Sequence, residues 1–591
     1  VPIFQDSSNL WALGQTPSDG WVSLPSPLSG LTPGGVYCDP QLGCSKSIAG
    51  FDISRANSEQ FSQEIRLQSN FGGAFDFSVG ANYLRYRTVE DYFVLFNLMT
   101  LVAQGAGPFN NSPDYTTCVP RSLLGLPDRP TSTPTPRVPL GSPQSGGCVY
   151  IDPNPVESIN GEGHNYFRSK NPYRVRSWAG FGELYWRPTD ALRITAGLRY
   201  TDDRKRFTPV PSQLLLAHSF LLGGTVDRGY PELPDIKQKW GEWSGRLGFD
   251  WKPDLAVTDQ TMIYGSYSRG YKAGGANPPG IGFGGVVPGY PSIVQTLGYP
   301  KTFDPEFVNA FEVGAKNTLF GGAVTLNGSA FFYDYKDYQV SQIKERTAVN
   351  ENFDAKVWGV ELESFVSPTP NLRLSGALGY QDSAIADGEK SIDVMDRVQG
   401  HEGYVLLKPW VQLPSNCVVP VSAVETQLAA NRWWGPGFPD YNNLLLLCGG
   451  FWFAGPINLH NGPNGGQGFY ADLSGNKLPN APHWTVSLGA QYSRELSDRW
   501  RATVRTDGYW QSQSWARVYN AVNDKLHGWY NVNLSLWVER DDGLKFELYA
   551  KNLLDKTPIT DAFLNSDDSA LTTNVFVLDP RLIGLSIKKG F

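Results

Sequence analysis

Four segments of the chain alternate apolar and polar residues with a period of two. Leu192, Ile194, Ala196, Leu198 and Tyr200 interleave with Arg193, Thr195, Gly197 and Arg199, and Val324, Leu326, Gly328, Ala330 and Phe332 interleave with Thr325, Asn327, Ser329 and Phe331. Trp484, Val486, Leu488, Ala490 and Tyr492 repeat the pattern, as do Leu544, Phe546, Leu548 and Ala550. Side chains of a strand point alternately to opposite faces, so each segment has one apolar and one polar or glycine face. The hairpin at 61–87, FSQEIRLQSNFGGAFDFSVGANYLRYR, is built the same way, with Phe75, Phe77, Val79, Ala81 and Tyr83 facing one side. About fifteen such strands can be counted, and they end at aromatic residues too often for a soluble core.

A β-sandwich alternates as well, so the connections must decide. Short turns (70–74, 187–191, 320–322, 367–371, 494–498, 540–543) alternate with longer loops, four of them very long: about 91–171, 207–238, 273–304 and 383–477. Structureless loops above about 15 residues are uncommon in compact soluble domains. Short turns on one side and long loops on the other are the pattern of a transmembrane β-barrel, with the long loops outside the cell. Aromatic strand ends then form the interfacial girdles. Arg193, Arg199, Glu312, Lys316, Lys545 and Glu547 fall on the face that lines the lumen. The reading is all-β: an antiparallel transmembrane barrel.

The composition agrees. Aromatics make up 13% of the residues, with 18 Trp and 28 Tyr, and the longest aliphatic run is Leu444–Leu447. A membrane helix needs about 18 apolar residues in succession, so a helical membrane protein is excluded. A net charge of −7 argues against nucleic acid as a partner. Six cysteines fall as near neighbours, Cys38 with Cys44, Cys118 with Cys148 and Cys417 with Cys448, without a CxxC pair. Local disulfides in an oxidising compartment are the expectation. Unpaired thiols are the alternative.

Strand polarity carries a further expectation. The first strand of the 61–87 hairpin and the last strand, LIGLSIKKGF, both run from outside to inside, so their number is odd. An antiparallel meander with an odd number of strands cannot close on itself. An odd number of further strands is therefore expected ahead of Val1, with residues 1–58 as an extracellular loop and 59–591 as a barrel portion. The chain opens Val-Pro, without a charged and then apolar leader.

FSQEIRLQS with its glycine turn and FDFSVGANYL resembles the mid-barrel of TonB-dependent outer-membrane receptors, the iron-siderophore type most closely. YGSYSRGYKAGGAN (264–277), FDPEFVNAFEVGAKNTLFGGAVTLNGSAFFYDYKDYQV (303–340), ELYAKNLLDKTP (547–558) and the terminal PRLIGLSIKKGF are similar to segments of that family. The resemblance implies a barrel of about 22 strands, of which roughly 15 are visible and 22 − 15 = 7, an odd number, would precede them. It implies Phe591 as the signal read by the barrel-assembly machinery. It also implies a plug and a TonB-binding segment, neither found in this sequence, and a location in the outer membrane of a Gram-negative cell amid lipid and lipopolysaccharide.

Nothing points to an enzyme. No GxSxG, HExxH or P-loop occurs, and GIGFGG at 280–285 lacks the strand–helix unit that dinucleotide binding requires. The six histidines are scattered, so neither a metal site nor a resident cofactor is expected. Asp567 and Asp568 read as a solvated acidic loop. By analogy with the family, ligand capture falls to outer loops: Trp433, Trp434, Tyr441 and Trp452 in the longest loop, and Tyr271 and Lys272 at an outer strand end. Rings beside polar groups can stack on a planar ligand. The resemblance implies TonB-dependent uptake of a ferric siderophore or similar large nutrient. A carbohydrate, aromatic compound or cobalamin is an alternative cargo, and a barrel that docks a partner protein is the reading from another class.

Overall fold

The computed structural model describes residues 36–39, 43–46, 50–96, 118–120, 148–150, 165–214, 232–279, 300–344, 347–407, 417–430, 462–564 and 573–590. Fifteen long strands form one meandering antiparallel sheet in which each pairs with its chain neighbours. They are β1 (Gly50–Gln68), β2 (Phe75–Phe96), β3 (Asn165–Thr189), β4 (Leu192–Phe207), β5 (Ile236–Trp251), β6 (Gln260–Lys272), β7 (Glu306–Leu319) and β8 (Val324–Lys344). There follow β9 (Thr347–Thr369), β10 (Leu372–Ile385), β11 (Trp484–Ser497), β12 (Trp500–Gln511), β13 (Trp529–Arg540), β14 (Leu544–Lys551) and β15 (Leu582–Lys589). No ladder joins β15 to β1 among the described residues.

The sheet is inside-out relative to a soluble protein. On β2, Phe75 and Val79 are exposed whereas Asp76 and Ser78 are buried; on β3, Trp178, Leu184 and Trp186 are exposed beside buried Ser177 and Ala179. Only a lipid solvent makes that arrangement favourable, because an exposed apolar band then costs nothing. Two aromatic tiers mark its edges. Phe75 stacks on Trp186 near the short turns, and eight residues along each strand Tyr83 meets Trp178 at 4.4 Å. Eight residues span about 26 Å of strand, or about 20 Å of height at a barrel strand's tilt of about 40°.

The opposite face pairs its charges. Arg193 bonds Asp250 directly across the β4–β5 ladder, and Arg246 reaches Glu183 over the side-chain-free Gly197 between them. Glu312 accepts a hydrogen bond from the Tyr264 hydroxyl, whose ring lies under Lys316. Arg199 lies over the Phe181 ring and donates to Thr201, and Lys545 bonds Glu547 at 3.0 Å. All six charges assigned to the lumen are on that side of the sheet.

Boundaries differ from expectation where strands outgrow the bilayer. β1 begins at Gly50 rather than near residue 59, because it pairs with the upper end of β2 from Gly50↔Phe96 onward. The 91–171 loop is shortened at both ends by β2 and β3, and Val210–Leu214 adds a further short strand against β3. Strands also enter the other long loops, as the pair Gly275–Ala276 with Thr302–Phe303 does in 273–304. The alternation of short and long connections has one exception, β8 to β9, where strand resumes at Thr347 after Lys344 on the long-loop side.

Candidate functional site

The long-loop side of β8 and β9 is where the sheet stops behaving as a membrane wall. At the even, outward positions of β9 the exposed apolar residues are Trp358, Val360 and Leu362, while Phe365, nearer the short turn, is exposed on the lumen face. Above Trp358 the apolar residues are odd and buried: Val357, Ala355, Phe353 and Val349. The period of two continues while its apolar phase flips, and these side chains now meet protein instead of lipid. Val357, Ala355 and Phe353 form a core with Val340 of β8, Ile385 of β10, and Ala471, Leu473, Leu478, Val518 and Tyr519, drawn from two separate loops.

A polar network ties the same loops together. The Tyr519 hydroxyl donates to Gln342 at 2.7 Å and lies 3.0 Å from Ser391, which in turn donates to Glu351, the partner of Lys344. Burial pushes the Tyr519 hydroxyl well above the ordinary tyrosine pKa, so it stays a neutral donor. Arg517 bridges Asp393 at 2.7 Å and Asp524 at 2.6 Å. Burial opposes its charge, but the two carboxylates outweigh that and hold its pKa above the usual value. Arg397, 1% exposed, donates to the carbonyls of Gln467 and Gly466. The connections between β10 and β11 and between β12 and β13 are thereby fixed to one another.

Beneath this knot runs a file of rings on the lumen face of β8. Phe331 stacks on Tyr333 at 4.8 Å, Tyr333 meets Tyr335 edge-on at 6.4 Å, and Tyr335 meets Tyr338 at 5.3 Å. Positions 335 and 338 share a face only because β8 carries a bulge between them, with Asp337 at φ 55°. The bulge is held from β9: Asp354 accepts the Asp337 N–H at 3.0 Å and bonds Lys336 at 2.8 Å, and Asn352 donates to the Asp337 carbonyl. Burial, with Asp354 and Asp304 close by, raises the Asp337 pKa. At the base of the file Phe331 lies across Gly359, where a Cβ would come within 2.6 Å of the ring. Bulges re-aim side chains in this way beside functional sites. Lower on the lumen wall, a recess of about 340 Å³ is lined by Glu363, Ser375, Ala377, Ser487, Asp507 and Tyr509.

The file was not singled out in the sequence, although its signal, F-x-Y-x-Y at 331–335, lies in the open there. Of the expected ligand contacts, Tyr271 and Lys272 lie where β6 ends. Tyr271 packs on Phe307 at 5.6 Å and Lys272 lies 3.6 Å from Glu306, so each has a partner on β7. Trp433, Trp434, Tyr441, Trp452, Phe591, Cys448, the 280–285 glycine run and Asp567–Asp568 lie outside the described residues. Short ladders set Cys38 opposite Cys44, and bring Cys118 opposite Tyr150 with Cys148 opposite Pro120. Among the described residues no group of three or more His, Cys, Asp or Glu could hold a metal ion.

The family described as TonB dependent receptor-like, beta-barrel, matches residues 16–553. The chain belongs to this family. Its members are outer-membrane transporters of Gram-negative bacteria, not enzymes. Among solved structures, the ferric yersiniabactin uptake receptor FyuA from Yersinia pestis shares 15% identity over 93% of this chain and 56% of its own, with a TM-score of 0.52. The siderophore receptor PiuA from Acinetobacter baumannii shares 15% over 90% of this chain and 56% of its own, at 0.49. The ferric-catecholate import receptor Fiu from K12 E. coli, in its closed form, shares 13% over 91% and 55%, also at 0.49. At such identity the likeness is one of fold. This TonB-dependent receptor chain spans little more than half the length of these neighbours, and the tyrosine file and loop knot are described from its own residues.

Proposed function

We propose that the chain forms the wall and mouth of an active-transport receptor that takes up a ferric siderophore or a similar large, scarce nutrient. The observation that carries this reading is the tyrosine file of β8 under a fixed extracellular knot. Flat rings with hydroxyl donors, walled by carboxylates such as Glu306 and Glu312, suit a planar, polar ligand handed inward from the loops. In this mechanism the outer loops capture the ligand. The file receives it, and a plug driven by TonB through a segment beyond these 591 residues opens the path. No covalent step is involved. The disulfides Cys38–Cys44, Cys118–Cys148 and Cys417–Cys448 would staple the capture loops, which the bonded state of Cys44 and Cys417 supports.

The test is growth and radiolabelled-iron uptake in a deletion strain carrying either the wild-type full-length gene or a Y333A/Y335A/Y338A version. The proposal expects iron-limited growth with wild type and at least tenfold slower uptake with the triple variant at equal surface abundance. An iron-replete deletion strain that fails only on a particular carbon source would overturn the siderophore reading in favour of another cargo.

A further inference from the structure

The two connections of the knot meet at one cation and two acids. Arg517, in the β12–β13 connection, donates through Nη1 to Asp393 of the β10–β11 connection at 2.7 Å and through Nε to Asp524 of its own connection at 2.6 Å. Only the Asp393 bond joins the two connections, and its second contact, from Nη2, is stretched to 3.5 Å. Asp524 therefore competes with Asp393 for the guanidinium. Both carboxylates are 3% exposed. Each is also fixed by its own backbone: Asp524 accepts the Ala521 N–H, and Asp393 the Met395 N–H.

The charged and titratable groups around the triad do not balance it. Tyr519 lies under the Arg517 guanidinium at 5.0 Å and is neutral. Lys344 of β8 and Glu351 of β9, which approach through Ser391, pair with each other one to one. Arg397 donates to the carbonyls of Gln467 and Gly466, Lys477 bonds Asp382 at 2.6 Å, and Lys525 is exposed. Among the described residues no second cation comes within ion-pair distance of Asp393 or Asp524. The triad thus buries a net negative charge, which is costly. A proton on Asp524 removes that charge and leaves a one-to-one Arg517–Asp393 pair across the two connections. In line with this, burial raises the Asp524 pKa. When the connections part, the carboxylates are hydrated and that advantage of the proton is lost. The closed form therefore binds the proton more tightly, so closure strengthens as pH falls through the Asp524 pKa and weakens as pH rises above it.

We propose that Arg517, Asp393 and Asp524 form a pH-sensitive latch at the barrel mouth, its two connections clasped in acid and loosened at neutral to alkaline pH. Tyr519 and the file residue Tyr338 pack on the same core, so the latch sets how firmly the knot sits on the file. The latch does not depend on which cargo is carried. The test is hydrogen exchange by mass spectrometry on the full-length protein in lipid nanodiscs, at about pH 5 and about pH 8, both above the ordinary carboxylate range. The intrinsic pH dependence of exchange is divided out. The expected result is that amides of 389–398 and 515–526 open about threefold or more as often at the higher pH, with the wall strands unchanged. Asp524→Asn fixes that group in its neutral form, and should keep the low opening of acid at both values. A simple ion pair at Asp524 predicts the reverse, namely a variant looser than wild type at both. Arg517→Gln leaves two buried carboxylates and should open at least tenfold more than wild type at the higher pH, with acid restoring part of the protection. Opening in wild type that does not change with pH, or a D524N variant more open than wild type at the higher pH, overturns the latch. Should the Arg517 variant not fold, wild type and D524N decide.

Discussion

β9 passes through two solvents, and its two halves obey opposite rules. Between Trp358 and Leu362 the apolar side chains point away from the protein, and Leu362 is 51% exposed. Between Thr347 and Val357 they point into it, and Val349 is fully buried. Neither strand geometry nor period changes; only the medium on the outer side does. Lipid rewards apolar residues facing out, whereas water outside the bilayer restores the ordinary inward core. The wall is held by backbone ladders closed between neighbours. The knot is held by side chains from distant loops, and so it responds to substitution in a different way.

The largest effect is expected in the knot. Phe353→Ala removes a ring that is 3% exposed from the centre of the loop core, and should cost about 3–5 kcal/mol locally. Hydrogen exchange should show faster exchange at 386–407 and 471–482 with the wall strands unchanged. Faster exchange throughout the sheet would mean that the two regions are one cooperative unit.

In the wall, neighbouring positions should differ by face. Leu488→Arg places a charge on the outward face near mid-bilayer and should cost about 2–4 kcal/mol. Ser487→Arg, one residue away and facing the Glu363 and Asp507 recess, should change stability by no more than about 0.5 kcal/mol. Urea unfolding in lipid vesicles gives both numbers, and equal costs would break the assignment of faces.

At the junction, Asp354→Ala withdraws the acceptor that holds the β8 bulge. Loss of charge-assisted hydrogen bonds of this kind is worth about 1.5–3 kcal/mol. The expected signature is a changed near-ultraviolet tyrosine signal as Tyr338 leaves the file, with the knot still protected from exchange.

The smallest effect is at the inner turns. Hydrogen bonds from Arg540 and Lys589 hold the Asp542 carboxyl well below the ordinary range. A carboxylate whose folded pKa is depressed stabilises the fold above its unfolded pKa of about 3.9, and that stabilisation is lost as pH falls further. Asp542→Asn should therefore flatten the acid limb of the stability profile below about pH 4 and leave pH 7 nearly unchanged, the pair being largely solvated.

Strand number, face assignment and family were legible because alternation, turn spacing and aromatic ends are local signals. The knot was not. Residues 347–358, TAVNENFDAKVW, keep an alternating pattern, and only the adjacent apolar pair Val357-Trp358 betrays the change of phase. What Phe353 packs with lies more than a hundred residues away, in Leu473, Leu478 and Val518. The Arg517–Asp393 bridge, 124 residues apart, has no local trace either. The tyrosine file was half-visible: F-x-Y-x-Y puts three rings on one face, but Tyr338 joins them only through a bulge that the sequence does not announce.

The account stands most directly on the phase flip of β9. Nitroxide labels placed singly at 349–362 in bilayer-reconstituted protein report collision with oxygen, which concentrates in lipid, and with a water-soluble nickel chelate. The account predicts high oxygen accessibility at 358, 360 and 362, and low accessibility to both reagents at 349, 353, 355 and 357. Oxygen maxima at 353, 355 and 357, or no alternation through 358–362, would contradict it.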